Sequence, residues 1–258
     1  KMNKVSIIIP TFNGQEFLKE TIDSALKQTH CNTKVVVIDD CSTDATLDVL
    51  RTYEGKLDLI KNDQNLGLTK TFNKVLNLIE SDYFILLGHD DVLPENHIKL
   101  LLTEFTTKEV AAVHCNSILI NKKGKTGNLV RNDEKQKRER VMFHLSIDNF
   151  INSCGMMHRT DVFKRAGGWD ESFRNYGEWL YYIKVLRYGI IKYTTKSISK
   201  YRRHDTNITN TFKNKNVKIG LREYKRKCRN EAHKLNDNTI IETLHYFKNE
   251  LKLFLKGL

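Results

Sequence analysis

Two pairs of adjacent carboxylates, Asp39–Asp40 and Asp90–Asp91, each close an apolar run of strand character. In an open parallel sheet the carboxyl ends of the strands share one rim, and ligands bind there. Neighbouring aspartates repel each other unless something offsets their charge. A divalent cation bridging a diphosphate, or donors on a nucleoside, would do so. Helix capping is the bland alternative, because Ser42, Thr43 and Asp44 can start a helix carrying Leu47 and Leu50. Capping accounts well for residues 42–44 and poorly for Asp39 and Asp40. The first strand leads into Pro10-Thr11-Phe12-Asn13-Gly14, so neither a GxGxxG dinucleotide fingerprint nor a P-loop stands at this edge.

These acids must be positioned by alternating strands and helices. Val5 to Ile9 reads as a buried strand stopped by Pro10, and Leu18, Ile22, Ala25 and Leu26 recur at helical spacing. Val35 to Ile38, Leu57 to Ile60 and Tyr83 to Leu87 read as three further strands. Thr69 to Ile79 reads as a helix with Phe72, Val75, Leu76 and Ile79 on one stripe. Pro94 marks a helix start with Ile98, Leu101, Leu102 and Phe105 inward. The pattern predicts an α/β fold with a mainly parallel, nucleotide-binding type of sheet. Beyond it the signals mix: a strand at Ala111 to Cys115, a hairpin around Lys123 and Gly124, and a charged loop from Arg131 to Arg140.

The chain has 258 residues, 40% hydrophobic and 29% charged, enough for one large domain and unlike a disordered chain. Its formal net charge is +12. Residues 202–258 hold 14 Lys or Arg against 6 Asp or Glu, so eight of those charges lie in the C-terminal segment. A basic balance suits phosphorylated small molecules, acidic lipid headgroups or nucleic acid. No RRM-type interleaving of aromatic and basic residues, zinc finger or helix-turn-helix pattern accompanies it, which argues against nucleic acid. Cys31, Cys41, Cys115, Cys154 and Cys228 form no CxxC pair, so reduced, mostly buried thiols are expected. No apolar run approaches the roughly 18 residues that span a bilayer, and no signal peptide is read, so a cytoplasmic location is expected. Met2 is expected to be the natural start, with Lys1 foreign to it.

The blocks "VSIIIPTFNGQEFLKETIDSALKQT", "VVVIDDCSTDAT", "NLGLTKTFNKVL" and "YFILLGHDDV" resemble the successive blocks of family-2 glycosyltransferases with the GT-A fold. The likeness continues through "CGMMHRTDVFKRAGGWDESF", "YGEWLYYIKVLRYG" and "YRRHDTNIT", covering about residues 4–210 and not the tail. It implies transfer of a sugar from a nucleoside diphosphate donor to an acceptor hydroxyl with inversion. It also implies a Rossmann-like nucleotide-binding sheet, a mixed acceptor-side half and a C-terminal helical tail. On this reading residues 2–110 bind the nucleotide sugar, 111–205 form the acceptor-binding and catalytic half of the same domain, and 206–258 are a basic helical tail.

The resemblance also assigns roles by position. Pro10, Thr11, Phe12 and Glu16 would surround the nucleoside, with Phe12 where the family usually stacks a tyrosine on the base. Asp40 would accept from the base imide with Asp39 assisting, and Lys70 falls among the donor-binding residues. Asp90 would contact the ribose or sugar, and Asp91 would hold a divalent metal, Mn or Mg, that neutralises the leaving diphosphate. Gly88 stands where the first aspartate of a DxDD run often does. An "ED" pair usually precedes a helix carrying an arginine and then a glycine. Here Gly177, Glu178, Lys184 and Gly189 fill that register, making Glu178 the general base, which as a carboxylate can accept the acceptor's proton. Arg202, Arg203 and His204 would reach the diphosphate, although a solvated basic surface would look the same. Trp169 and Asp170 resemble the acceptor-side segment, Trp169 as core residue or sugar platform. His89, His158 and Arg159 read as structural.

The implied function is an inverting glycosyltransferase using a UDP-sugar and a saccharide or lipid-linked saccharide acceptor, in bacterial surface polysaccharide synthesis. A sugar nucleotidyltransferase is the rival enzyme, but its glycine-rich basic loop is missing. Ile240, Leu244, Phe247, Leu251 and Leu258 make an apolar stripe beside Lys248, Lys252 and Lys256. Such a helix can dock on its own domain, pair two subunits, or lie on the anionic inner face of a plasma membrane.

Overall fold

A computed structural model describes residues 2–76, 78–130, 138–173, 177–208, 210, 215–235, 244, 247 and 248. Four parallel strands come first: β1 (Val5–Thr11), β2 (Thr33–Asp39), β3 (Asp58–Lys61) and β4 (Tyr83–Leu86), connected by α1 (Leu18–Leu26), α2 (Thr46–Arg51) and α3 (Leu68–Leu76). α4 (His97–Leu102), β5 (Val110–Asn121), β6 (Thr126–Val130), α5 (Arg138–Ile147), β7 (Met157–Arg159), α6 (Thr160–Arg165), α7 (Glu178–Val185), β8 (Ile190–Arg203) and α8 (Lys215–Leu235) follow. The sheet runs β3-β2-β1-β4-β7-β5-β6, with β8 paired to β5. β7 is antiparallel to both β4 and β5, and β8 is parallel to β5. The expected mixture of a parallel first half and a mixed second half is the observed α/β architecture.

Both faces of the central sheet are covered, which is why β1 is buried at every position. Val5, Ile7 and Ile9 pack with Leu18, Ile22, Leu50, Ile98 and Leu101 from α1, α2 and α4. Ile8 points into the other layer, with Phe72, Val75, Phe163, Leu180 and Ile183 from α3, α6 and α7. Burial of each such side chain contributes roughly 1.5–3 kcal/mol.

Several boundaries differ from expectation. Pairing runs past Pro10, which aligns with Ile38, and the Asp40 amide donates to the Thr11 carbonyl at 2.8 Å. Leu26 is exposed, since only Leu18, Ile22 and Ala25 of that stripe reach the core. The helix after Pro94 begins at His97, and Phe105 packs from beyond its end. The turn after Asn121 closes the β5–β6 hairpin, with Gly124 at φ +76°. Of the charged loop, residues 131–137 lie outside the described residues, while Arg138 to Arg140 begin α5.

The C-terminal segment is not a detached tail. Tyr224, Cys228 and Ala232 of α8 join the core beside Trp179 and Leu145. Tyr224 stacks on Phe173 at 4.7 Å, and its hydroxyl accepts from the Leu180 amide at 3.3 Å. Leu244, Phe247 and Lys248 are exposed, and Arg229 lies 4.8 Å over the Phe247 ring. Ile240, Leu251, Lys252, Lys256 and Leu258 lie outside the described residues. Tyr224→Ala should lower unfolding free energy in urea by about 3 kcal/mol or more, the cost of an aromatic core truncation. A change under about 0.5 kcal/mol would mean that α8 adds nothing to the core.

Candidate active site

All four parallel strands deliver their carboxyl ends to one rim. The loops after β1 and β2 are stapled together there. Asn13 N donates to Ser42 Oγ, Gly14 N to Thr46 Oγ1, Thr43 N to Asn13 Oδ1 and Ala45 N to Gln15 Oε1, all at 2.8–2.9 Å. Asn13 at φ 52° and Cys41 at φ 65° hold left-handed conformations that side-chain-bearing residues seldom adopt, a strain found at functional sites. Ser42 and Thr43, expected as caps, serve this staple instead. Asp44 accepts from the Thr46 amide as α2 begins.

A pocket of about 510 Å³ opens behind the staple, lined by Pro10, Thr11, Phe12, Asp40, Asn65, Gly67, Thr71 and His89. Phe12 is 42% exposed at its mouth, an unusual place for a phenylalanine. Asp40 Oδ1 accepts from Asn62 Nδ2 and the Leu66 amide, and Oδ2 accepts from the Gly67 amide, at 2.8–2.9 Å. Asp40 therefore shapes the 62–67 loop and retains one acceptor position on Oδ2. Asp39 accepts from the Ser42 amide through Oδ2, while its buried Oδ1 has no protein partner. Thr11 Oγ1 and Trp169 Nε1 are likewise buried without partners. Such atoms are costly unless something completes them, and three cluster in the expected site residues.

A second cleft of about 230 Å³ adjoins the first, sharing Pro10, Leu68, His89, Thr206 and Ile208 with it. Asp90, Asp91, Glu178, Trp169, Tyr201 and His204 line it. Asp90 Oδ2 accepts from His204 Nε2 at 2.8 Å and Asn207 Nδ2 at 3.0 Å. Asp91 Oδ1 accepts from the Arg202 amide at 3.0 Å. Burial, then the charge of Asp90, pushes the Asp91 carboxyl well above the ordinary range, against the pull of the Arg202 amide. Burial also lowers the His89 imidazole, whose ring hydrogen-bonds the Pro10 backbone.

The donor set accommodates a small hard cation. A Cβ added to Gly88 would lie 2.9 Å from Asp90 Oδ1 and 3.0 Å from Asp91 Oδ2, so one oxygen of each carboxyl group converges over space that glycine leaves open. Among the described residues no group of three His, Cys, Asp or Glu completes a protein cage. The remaining ligands would come from phosphate and water, as is usual for Mg²⁺.

Glu178 opens α7 behind Gly177. Gly177 has an ordinary helical φ of −68°, but a Cβ there would meet Asp170 O at 2.7 Å, Asp170 N at 2.9 Å and Thr69 Cγ2 at 2.9 Å. A side chain is thus excluded where the resemblance expects an acid. Gly189, which anchors the same register, lies against the Glu109 carbonyl. Asn149 Nδ2 approaches Glu178 Oε1 at 3.5 Å, and burial raises the Glu178 carboxyl to about 7.

Four expected residues sit differently. Arg202 is 1% exposed: Nε donates to the Asp90 carbonyl, Nη1 to the Asn121 and Lys122 carbonyls, and Nη2 to Glu20, so its guanidinium is committed to partners within the protein. Glu16 lies outside both pockets, paired with Lys122 across the β5–β6 turn at 2.9 Å. Lys70 lines a neighbouring cleft with Lys74 and Lys164. Asp170 is held by Lys227 at 2.6 Å; burial would raise it, but donors from Lys227 and Ser172 more than offset that and keep it low. Trp169 is both core residue and cleft wall, packed 4.7 Å from Phe72. His158, stacked on Phe84 and bonded to Tyr181, is structural as expected. Thr21, Thr71 and Asn207 escaped the sequence reading. Thr21 Oγ1 bridges the His89 and Asp91 carbonyls, and a hydroxyl on an amphipathic stripe carries no signal for that.

A model of the family described as Glycosyl transferase family 2 matches residues 6–165. The chain belongs to this family. An uncharacterized glycosyltransferase of Rickettsia typhi is 29% identical over 260 residues, covering 98% of this chain and 80% of its own length. The poly(ribitol-phosphate) beta-N-acetylglucosaminyltransferase TarS of Staphylococcus aureus is 33% identical over 135 residues, 49% of this chain and 22% of TarS. The crystal structure of TarS residues 1–349 with UDP-GlcNAc matches with a TM-score of 0.66 at 21% identity, over 81% of this chain and 61% of that one. A mannosyltransferase from Pyrobaculum calidifontis with GDP-Man and Mn²⁺ matches with a TM-score of 0.63 at 12% identity, over 99% and 81%. The fold is that of the GT-A glycosyltransferases, and the enzyme is a glycosyltransferase.

The raised Glu178 carboxyl has a cost that can be measured. Its native value near 7 exceeds the unperturbed 4.5, so the native state binds the extra proton between those pH values. Stability from this group is complete below about pH 4.5 and is lost as pH rises through 7. Glu178→Gln should therefore match wild type near pH 4 and be more stable at pH 8 by about 1–3 kcal/mol. Equal melting temperatures at pH 8 would show that the carboxyl is not destabilised.

Proposed function

We propose that this family-2 glycosyltransferase moves a sugar from a UDP-sugar to a saccharide hydroxyl with inversion, with Glu178 as general base. The observation that carries the reading is Glu178 in one cleft with Asp90 and Asp91, its carboxyl raised to about 7. At that value it is part-ionised at neutral pH and basic enough to take a hydroxyl proton. The acceptor oxygen attacks the anomeric carbon as the bond to the diphosphate oxygen breaks. The proton goes to Glu178 and the electron pair leaves with the nucleoside diphosphate. No covalent sugar–enzyme intermediate is needed.

The first pocket would take the nucleoside, with Phe12 stacking on the base and Asp39, Asp40 and Thr11 supplying polar contacts. Residues 2–110 would supply the donor half, completed by the 202–208 segment, and 111–205 the acceptor side around Trp169. Asp90 and Asp91 would hold a divalent cation, which supplies charge neutralisation for the leaving diphosphate when bound. The complexes of neighbouring folds with UDP-GlcNAc and with GDP-Man and Mn²⁺ support nucleotide-sugar and metal use. TarS and the putative teichuronic acid biosynthesis glycosyltransferase TuaG of Bacillus subtilis support a surface-polysaccharide acceptor. Among the described residues no helix is long and apolar enough to cross a membrane. The exposed Arg222, Arg226 and Lys234 of α8, with Leu244 and Phe247, support peripheral contact with anionic lipid.

A panel of nucleotide sugars with Mn²⁺ or Mg²⁺ should raise the melting temperature selectively for the true donor. With that donor, wild-type turnover should climb through pH 7 to a plateau. Glu178→Gln should leave donor affinity nearly unchanged, abolish the climb and reduce turnover by about 10²–10⁴. Turnover within threefold of wild type, with chemistry rate-limiting, would remove Glu178 from the role. In flotation assays the chain should rise with anionic but not neutral vesicles at low salt, and deletion of residues 238–258 should weaken this. Equal recovery of both proteins in the unbound fraction would rule out membrane contact through that segment.

A further inference from the structure

We infer that Arg202 is the positioning residue of the Asp90–Asp91 pair, setting the affinity of the site for cation and nucleoside diphosphate without touching either. The inference rests on the donor-site reading above and goes beyond it. Two adjacent carboxylates, one of them buried, repel and would turn apart unless their backbone is held. Arg202 holds the Asp90 backbone through its side chain, Nε donating to the Asp90 carbonyl at 2.8 Å, and the Asp91 carboxyl through its amide, which donates to Oδ1 at 3.0 Å. Nη1 and Nη2 then tie this loop to the β5–β6 turn and to Glu20 of α1, and the guanidinium sits 4.9 Å over the Phe17 ring. The planar fork reaches three separate elements at once, which a lysine ammonium cannot reproduce. Flanking bonds lock the segment: Val92 N donates to Lys200 O at 3.0 Å, Lys200 N to Val92 O at 2.8 Å, and Asn207 Nδ2 to both Asp90 Oδ2 and Arg202 O. A residue more than a hundred positions downstream, beyond the span of the family match, thus sets the carboxylate geometry over Gly88.

The test compares Arg202→Lys with wild type in the full chain, using UDP as probe. Calorimetric titration of UDP at fixed Mn²⁺ should show at least tenfold weaker binding in the variant, with metal-free UDP binding changed less than twofold. Amide exchange at Asp91 and Val92 should speed up at least tenfold, while amides of β1 and β2 stay protected. A folded variant with wild-type UDP–Mn²⁺ affinity and wild-type exchange at both amides overturns the inference. If wild type binds no UDP with any metal, the donor reading fails instead, and the exchange comparison alone decides the positioning role. Should Arg202→Lys not fold, Glu20→Gln takes its place, since Glu20 is the exposed partner of the guanidinium. It should raise the half-saturating Mn²⁺ concentration for UDP two- to fivefold, or speed exchange at Asp91 and Val92 where UDP does not bind. No change in that readout overturns the inference.

Discussion

The site depends on holding two like charges together at the end of β4. Asp91 is buried, and burial and Asp90 both push its proton affinity up. Left to themselves, adjacent carboxylates would separate or one would stay protonated. Donors from His204, Asn207 and Arg202 fix the orientation of the two carboxyl groups and Thr21 holds the Asp91 backbone carbonyl, while the proton affinity of Asp91 stays high. Asp90 Oδ1 and Asp91 Oδ2 are left converging over a glycine. A cation arriving with a diphosphate would then meet an arrangement whose repulsion it relieves, so binding energy is not spent on moving side chains.

The same logic, with the opposite partner, tunes Glu178. Nothing cationic among its described contacts offsets its desolvation, and its donors are its own backbone amide and the long contact from Asn149. One cleft thus holds two carboxyl environments: an adjacent pair held by donors, and a single group that burial raises with no described cationic partner. Gly88 and Gly177 share in both. Gly177 is required by the close approach of the Asp170 backbone, while Gly88 leaves room for the ends of the Asp90 and Asp91 side chains, and each stands where the resemblance expects an acid.

The second half of the chain does more for the two pockets than its place in sequence suggests. β8 runs along β5 and bridges to Val92 in the segment after β4, so Tyr201 walls the second cleft and Thr206 and Ile208 from the turn after β8 wall both pockets. α8 closes the opposite layer, where Lys227 binds Asp170 and Tyr224 supports the first turn of α7. The loop carrying Trp169 and the helix carrying Glu178 are thereby braced by a segment that in sequence looks like a basic tail.

The sequence by itself determined the parallel half and its chemistry. Strands buried on both faces read as continuous apolar runs, helices show a 3.6-residue stripe, and acids closing a strand have nowhere to go but the rim. The pairs Asp39–Asp40 and Asp90–Asp91 and the missing phosphate loops were legible for that reason, whereas the register ending at Gly189 was implied by the family resemblance. Tertiary structure decided what each polar group spends itself on. Arg202 reads as a phosphate ligand because it is a cation beside a histidine, yet folding places it within reach of carbonyls from two segments and of the Glu20 carboxylate, and removes it from solvent. Asp170, Glu16 and Ser42 were likewise claimed by partners 57, 106 and 29 positions away, and no local pattern encodes such distances. Hydrophobic periodicity is a local property of the chain, whereas the partner of a charge is chosen only when remote segments meet.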